Sequence, residues 1–536
     1  MGFLLHHSIE ASAERDPDRD AFRFDGTGLS YRELVSRADQ LASVLIEEGV
    51  RPGDRVGIYM HKALELPVAL YGILKAGAAY VPIDPAAPLP RIRFIIEDCG
   101  LRHLITGASR ARRTMELVEG TPGVRTVIGA GGAAPGCRCI TWPEVETADA
   151  RPPSVRVTEQ DLAYIMYTSG STGAPKGLMH THSSGLSYAT RSAATYDVGA
   201  EDRLGNHSPL HFDMSTFEYL TGPLCGATSV IISEETTMFP VSLGELIERE
   251  RLTFWYSVPL ALIQLLGGGD IQRRDARSLR WVLFGGEPFA PKYLHALMTL
   301  WPHARFSNVY GPAEVNQCTY YHVPNVDSTA LSAVPIGKVW DNAEGLVVDA
   351  DDQAVAPGEP GELLIRTPTM MTGYWARPDL NRAAFFDQEP FPGFRQRFYR
   401  TGDVVREGED GNLLFLGRQD RQIKIRGYRV ELDEVEHVVG SCDEVAEAAV
   451  ISFRRDDGQV EIVAAVLLRP GCHPQPENIR ARAAERLPPY AVPGRVDVLA
   501  SLPRTGSGKI DRRALAASYA GGGSNWSATP DRRPSP

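Results

Sequence analysis

Residues 168 to 177 read Thr-Ser-Gly-Ser-Thr-Gly-Ala-Pro-Lys-Gly. Three glycines, four hydroxyl side chains and one lysine fall within ten residues. Glycine lets backbone N–H groups approach an anion closely, hydroxyls donate hydrogen bonds, and Lys176 adds a positive charge. This composition reads as a phosphate-handling loop. It is not the Walker A loop, which requires Gly-Lys-Ser/Thr, because here the lysine lies between Pro175 and Gly177. An ordinary Gly/Ser surface turn is the competing reading of the loop alone.

The flanks support the first reading. Asp161-Leu-Ala-Tyr-Ile-Met-Tyr167 reads as a short buried strand leading into the loop. Upstream, Tyr31 to Glu48 carries Leu34, Ala38, Leu41 and Leu45 at helical spacing, Arg55 to Met60 reads as a strand, and Leu66 to Ala76 as a helix. Pro67 is tolerable in that helix's first turn. Alternation of this kind predicts an α/β fold with largely parallel sheets flanked by helices. Gly129 to Gly136 reads as a surface loop. A composition shift near Arg418 opens a smaller α+β unit. There Tyr428 to Val439 reads as helix, Ala446 to Ser452 and Val460 to Leu468 as strands, and Glu477 to Leu487 as helix. From Tyr519 onward the Gly/Ser/Pro/Arg-rich chain is expected to be disordered. The expected division is a large domain over 1–419, a small domain over 420–515 and a tail over 516–536.

Composition narrows the function classes. The 536 residues carry 56 basic and 67 acidic groups, a net charge of −11. A general nucleic-acid binder needs a basic footprint, which this balance does not provide. No apolar run approaches the ~18–20 residues of a membrane helix. The start, Met1-Gly-Phe-Leu-Leu-His-His7, lacks a basic segment and a long apolar core, and His6 stands where a myristoylation site wants Ser or Thr. The seven cysteines are scattered, with Cys137-Arg-Cys139 the one close pair and no zinc-type cluster beside it. Reduced thiols and a cytoplasmic location are expected.

Further blocks occur in order along the chain. They are Leu29-Ser-Tyr-Arg-Glu-Leu34, Leu74 to Pro85, Tyr310-Gly-Pro-Ala-Glu314, Gly361-Glu-Leu363 with Gly373-Tyr374, Tyr399-Arg-Thr-Gly-Asp403, Gly417 to Gly427 and Leu502 to Ile510. With the phosphate loop they resemble the core motifs of the adenylate-forming superfamily, which includes acyl-CoA synthetases, luciferases and the adenylation domains of nonribosomal peptide synthesis. The resemblance runs from about residue 29 to about 515. It implies an AMP-forming acid–thiol ligase that uses ATP and Mg²⁺, with a small mobile C-terminal domain.

By that resemblance Thr168, Ser169, Gly170, Ser171, Thr172, Gly173 and Lys176 clamp the β- and γ-phosphates. Asn308, Tyr310 and Gly311 frame the adenine, Asp403 takes the ribose hydroxyls, and Arg418 contacts ribose and phosphate. Glu314 helps hold Mg²⁺, a hard cation that prefers oxygen ligands. Lys509 arrives from the small domain to bridge the substrate carboxylate and the α-phosphate, and Asp420 occupies the hinge position. Two positions depart from the family pattern: Ala313, where a hydroxyl residue is usual, and Thr367, where glycine is.

Phe212-Asp-Met-Ser215 resembles the block that opens the substrate pocket of amino-acid-activating members, where an aspartate pairs with the α-ammonium. A buried carboxylate needs such a partner. A helix N-cap is the competing reading of Asp213. Alignment of motifs implies a pocket lined by Asp213, Met214, Phe217, Ser257, Leu283, Gly285, Val309, Gln317, Cys318 and Lys509. Its side-chain portion is neutral and shortened by Met214 and Phe217, with Gln317 free to meet a small polar group. The expectation is activation of a small neutral amino acid, alanine first, then glycine, serine or proline. The aminoacyl group is handed to a separate carrier protein, on a pantetheine thiol or a carrier-bound amine, as in natural-product (antibiotic) biosynthesis. A stand-alone enzyme, with no domain before the adenylation unit and no carrier sequence after it, is expected. A β-amino acid–carrier ligase, an acyl- or aryl-CoA ligase and a nucleotide-binding module without catalysis remain as alternatives.

Overall fold

The structure, a computed structural model, describes residues 2–132, 135–170, 174–324, 333–454, 460–505 and 509–520. The chain falls into two compact units. One comprises Met1–Pro85, Ile95–Tyr167 and Gly177–Gln419; the other Ala86–Phe94, Thr168–Lys176 and Asp420–Pro536.

Among the described residues three sheets lie before Asp420. A nine-stranded sheet has a parallel centre of Asp20–Phe24, Thr228–Ile231, Arg203–Asn206, Phe254–Ser257, Trp281–Gly285 and Arg305–Tyr310. Antiparallel strands, Thr27–Ser30 at one side and Thr319–Val323 at the other, flank that centre. An eight-stranded sheet runs from Gly373–Tyr374 through Lys176–Thr181, Leu162–Thr168, Ala79–Pro82, Arg55–Tyr59 and His103–Thr106 to Thr126–Ile128 and Arg138–Ile140. The third, five-stranded and antiparallel, carries Phe394–Glu407 paired with Leu413–Arg418.

Local sequence explains the helices between strands. Ser30 caps the helix Tyr31–Glu47, accepting from Glu33 N while the Glu33 carboxylate accepts from Ser30 N. Leu34, Ala38, Leu41 and Leu45 then form its buried stripe. The helix Glu65–Lys75 is apolar nearly all round and buried along its length, as suits an element packed on several sides. No helix among the described residues is long and apolar enough to cross a membrane. All seven cysteines are free thiols.

The second unit holds a hairpin, Gln422–Ile425 with Tyr428–Glu431, a three-stranded sheet, and the helices Leu432–Gly440, Pro476–Ala484 and Arg512–Ala520. Two sequence expectations need correction. Tyr428 to Glu431 is strand, not the first turn of a helix. Arg426 (φ 53°) and Gly427 (φ 80°) form a two-residue left-handed turn that folds the strand back on Ile425. Nor is the chain disordered from 516 or 519, since the last helix continues to Ala520. Leu515 is buried within it, and the Tyr519 hydroxyl donates to Asp497 at 2.6 Å. Residues 521–536 lie outside the described residues.

Candidate active site

The phosphate loop leaves a strand, Leu162–Thr168, whose residues Ala163 to Met166 are buried, and returns in the strand opened by Lys176. The Thr168 hydroxyl oxygen is buried with no hydrogen-bond partner among the described residues. Buried donors are rarely left so, and a phosphate oxygen would satisfy it. Ser169 donates to the Arg429 carbonyl at 2.9 Å. Ser171, Thr172 and Gly173 lie outside the described residues. Gly177 has its bare Cα against the Tyr167 ring: a Cβ there would stand 3.1 Å from two ring atoms.

Asp403 is buried and held from two sides. Tyr310 donates to one carboxylate oxygen at 2.5 Å and Arg418 Nη1 to the other at 2.5 Å. Burial, with Asp403 beside it, pushes the Tyr310 phenol well above its ordinary value, so it stays a donor. Each carboxylate oxygen keeps further acceptor capacity for a diol. Asn308 spends one amide hydrogen on Pro335 O at 2.8 Å. Gly311 cannot be replaced without moving backbone, since a Cβ would fall 1.6 Å from Asn316 O. Asn316 closes that turn in the left-handed region, φ 55°, which asparagine tolerates.

Glu314 is fully buried, and its Oε1 accepts from the Tyr374 hydroxyl at 2.8 Å. One carboxylate is what Mg²⁺ takes from a protein when nucleotide phosphates and water complete its octahedron, so Glu314 fits that ion. His180 sits one residue away in space, its Nε2 3.1 Å from Ala313 O and its ring stacked on Tyr164 at 4.8 Å. Burial pulls its pKa down to about 4, so it is neutral near pH 7. Nothing in its local sequence marks His180. Thr367 gains a physical account. Its hydroxyl meets Thr369 Oγ1 at 3.0 Å, and Thr369 donates to Val315 O at 2.6 Å, directly after Glu314.

Asp213 is not a helix N-cap. It lies inside a one-turn helix, Asp213–Ser215, capped by Phe212, and Oδ1 accepts from its neighbour Met214 N at 3.0 Å. A π-helical turn, Phe217–Thr221, follows, a form that frequently marks functional sites. Thr216 donates to Asp213 O at 2.5 Å and accepts from Asn316 at 3.1 Å, tying this segment to the Tyr310–Glu314 turn.

Strand register sorts the remaining pocket candidates. Tyr256 pairs with Leu283, and Gly285 with Val309. Phe217, Tyr256, Leu283 and Val309 belong to one buried cluster with Met214 at its margin. A Cβ on Gly285 would meet Val309 O at 2.2 Å, so this wall must be bare there. Ser257 lies on the opposite face. Its Oγ accepts from Trp255 at 2.8 Å, and Trp255 packs in a different cluster. Tyr256, not singled out in the sequence, takes its place on the Leu283 face. The Gln317 amide nitrogen is committed, donating to the Tyr196 hydroxyl at 2.7 Å and toward Thr319 O at 3.4 Å. Cys318 is buried among Leu178, Val315 and Met371, away from Phe217, and burial pushes its thiol far up into an inert range.

In the second unit Lys509 has an exposed side chain at the end of a short loop, its carbonyl accepting from Thr505 N at 2.8 Å. Residues 506–508 lie outside the described residues. Asp420 is the first residue of that unit's long C-terminal stretch, with Oδ1 accepting from Gln422 N at 3.1 Å, while Gln419 N donates to Gly402 O at 2.9 Å.

Comparison with known proteins places this geometry. Residues 9–375 match the AMP-binding enzyme family and residues 434–509 the AMP-binding enzyme C-terminal domain. Over 97% of the chain it is 33% identical to the whole length of an L-proline–[L-prolyl-carrier protein] ligase of Pseudomonas fluorescens. It is 34% identical over 96% of its length to tyrocidine synthase 1 of Brevibacillus parabrevis, of which it spans 45%. Among solved structures, a Vibrio cholerae adenylation domain in complex with glycyl-adenosine-5'-phosphate superposes with a TM-score of 0.84 at 25% identity, covering 97% of this chain and 98% of that one. The chain therefore belongs to the AMP-binding enzyme family of adenylate-forming enzymes, and is an AMP-forming ligase that uses ATP and Mg²⁺.

Proposed function

We propose that the chain activates a small neutral L-α-amino acid as its aminoacyl adenylate and passes it to a separate carrier protein. The general part of this reading, amino-acid activation by ATP followed by transfer to a carrier, is the chemistry its full-length relatives represent. The finer part rests on one observation. The Phe217 ring fills the pocket wall, within 5.6 Å of Phe254, 5.9 Å of Tyr256 and 6.1 Å of Tyr196, ring centroid to centroid. In this reading that packed ring shortens the pocket to suit a small side chain. Relatives named for proline, and a solved neighbour named with a glycyl adenylate, fall in the same size class.

In this reading Asp213 pairs with the ammonium, and the apolar and aromatic side chains of the Leu283 cluster disfavour charged substrate side chains. Alanine leads, with glycine and proline next. Serine stands beside them, since it is the Gln317 amide nitrogen, not its carbonyl oxygen, that serves Tyr196. The substrate carboxylate attacks the α-phosphorus, and the bond to pyrophosphate breaks. Lys509 supplies positive charge where negative charge develops, and Lys176 with the Thr168 hydroxyl holds the leaving phosphates, the Ser169 hydrogen being given to the Arg429 carbonyl. Glu314 would hold Mg²⁺, and the ion would supply positive charge to the phosphates. Asp403 fixes the ribose. A carrier thiol then attacks the carbonyl and AMP leaves.

The test is pyrophosphate exchange over all proteinogenic amino acids. Strongest exchange with alanine, glycine, serine or proline supports the reading. Strongest exchange with an aromatic or charged amino acid overturns it.

A further inference from the structure

The two ends of the phosphate loop, Tyr167 and Gly177, are tied to one short segment, Gly373–Arg377. Gly177 O accepts from Trp375 N at 2.8 Å, continuing the antiparallel pairing of Tyr374 with Leu178. Tyr167 reaches the same segment through Asp98. The Tyr167 hydroxyl donates to Asp98 Oδ2 at 2.7 Å and Arg377 Nη2 to Oδ1 at 2.5 Å. The Trp375 indole donates to the Asp98 carbonyl at 2.9 Å. Arg55 lies over the Trp375 ring at 4.8 Å and donates to Cys99 O at 3.1 Å, backing the same corner.

The corner is held against local preference. Ala376, between Trp375 and Arg377, has φ 50°, a left-handed conformation that alanine avoids unless its surroundings impose it. The neighbouring Tyr374 points to Glu314, donating to Oε1 at 2.8 Å. One five-residue segment thus bonds Gly177 directly, Tyr167 through Asp98, and the Glu314 carboxylate through Tyr374.

We propose that Asp98 and Arg377 are positioning residues for nucleotide. Their ion pair locks Tyr167 and Gly177, the two bases of the phosphate loop, to the segment that orients Glu314 before ATP arrives. Neither residue touches substrate. The role rests on the phosphate-loop reading above. It predicts an effect on nucleotide alone, since no residue of the Asp213–Phe217 wall is joined to the corner by these bonds.

The experiment is pyrophosphate exchange with the full chain, using the amino acid that gives wild type its strongest signal. Asp98→Asn and Arg377→Gln are expected to raise KM for ATP roughly tenfold, as misplacement of positioned groups does, with KM for the amino acid unchanged within about twofold. Arg377→Lys, which keeps the charge, recovers part of the loss. If Asp98→Asn does not fold, Tyr167→Phe, which removes a single hydroxyl, gives the same readout. An unchanged KM for ATP in Tyr167→Phe and Arg377→Gln overturns the proposal, and so does a parallel rise in both KM values, the mark of general loosening. Wild type that exchanges with no amino acid would instead sink the adenylation reading, and the positioning role with it.

Discussion

Tyr310 donates its hydroxyl to Asp403 across 2.5 Å, joining a turn and a strand 93 residues apart. The bond orients a buried carboxylate whose other oxygen Arg418 holds. Hydrogen bonds to charged groups contribute about 1.5–3 kcal/mol. Tyr310→Phe is therefore expected to raise KM for ATP roughly ten- to hundredfold in pyrophosphate exchange, with a smaller change for the amino acid. An unaltered KM for ATP would remove Asp403 from the nucleotide site.

His180 links the site to acid stability. Its pKa falls from 6.5 to about 4, chiefly through burial, with Ala313 O and Glu314 opposing the shift. The folded state disfavours the proton that the unfolded state takes. The contribution is fully present above pH 6.5 and is lost as pH falls through 4, amounting to about 3 kcal/mol. His180→Gln keeps an amide donor for Ala313 O and has no titration. Urea midpoints measured from pH 7 to 4 are expected to fall less steeply for the variant. Equal slopes would show that His180 is not held neutral.

Lys509→Ala tests the proposed role of Lys509 as the cation at the reacting carboxylate. Loss of one such charge costs about 3 kcal/mol of barrier, roughly a hundredfold in rate. Exchange is expected to fall by that factor while ATP still binds, as read by displacement of a fluorescent nucleotide. Wild-type exchange rates in the variant would end the assignment.

Asp420→Pro addresses movement between half-reactions. Gln419 is tethered to Gly402, and the C-terminal stretch of the second unit begins at Asp420. Proline fixes φ near about −65°. Adenylate formation is expected to survive better than transfer to the carrier, each measured separately. Equal losses in both would remove Asp420 as the proposed hinge.

Elements with one dominant period are legible in the sequence itself. The stripe Leu34, Ala38, Leu41 and Leu45 and the buried run Ala163 to Met166 each specify their own structure. The hairpin at Gln422–Glu431 is masked because Val430, Leu432 and Val435 mimic helical spacing across a strand–helix junction. Ser257 shows the other limit. In a strand a shift of one residue reverses the face, so a motif alignment marks Ser257 while Tyr256 faces the cluster. Gln317 donates to Tyr196, 121 residues away, and no local pattern encodes such a partner. The roles of Tyr374 and Thr367 are likewise set by contacts distant in sequence.

Phe217 offers the sharpest test of substrate size. Its ring is 1% exposed and packed among Tyr196, Phe254 and Tyr256, so it occupies volume that a longer substrate side chain would need. Phe217→Ala removes that volume at a stability cost of about 3–5 kcal/mol, which a thermal scan will register. Provided the variant remains folded at the assay temperature, exchange is expected to shift from small amino acids toward leucine and phenylalanine. The change in relative kcat/KM should be roughly tenfold or more, since each buried methylene contributes about 0.8 kcal/mol. Charged amino acids are expected to stay poor substrates for both proteins, the cluster around Phe217 being aromatic and aliphatic. A variant that keeps the wild-type order of preference would show that Phe217 is core alone, and the size limit would then have to come from Met214 or Tyr256.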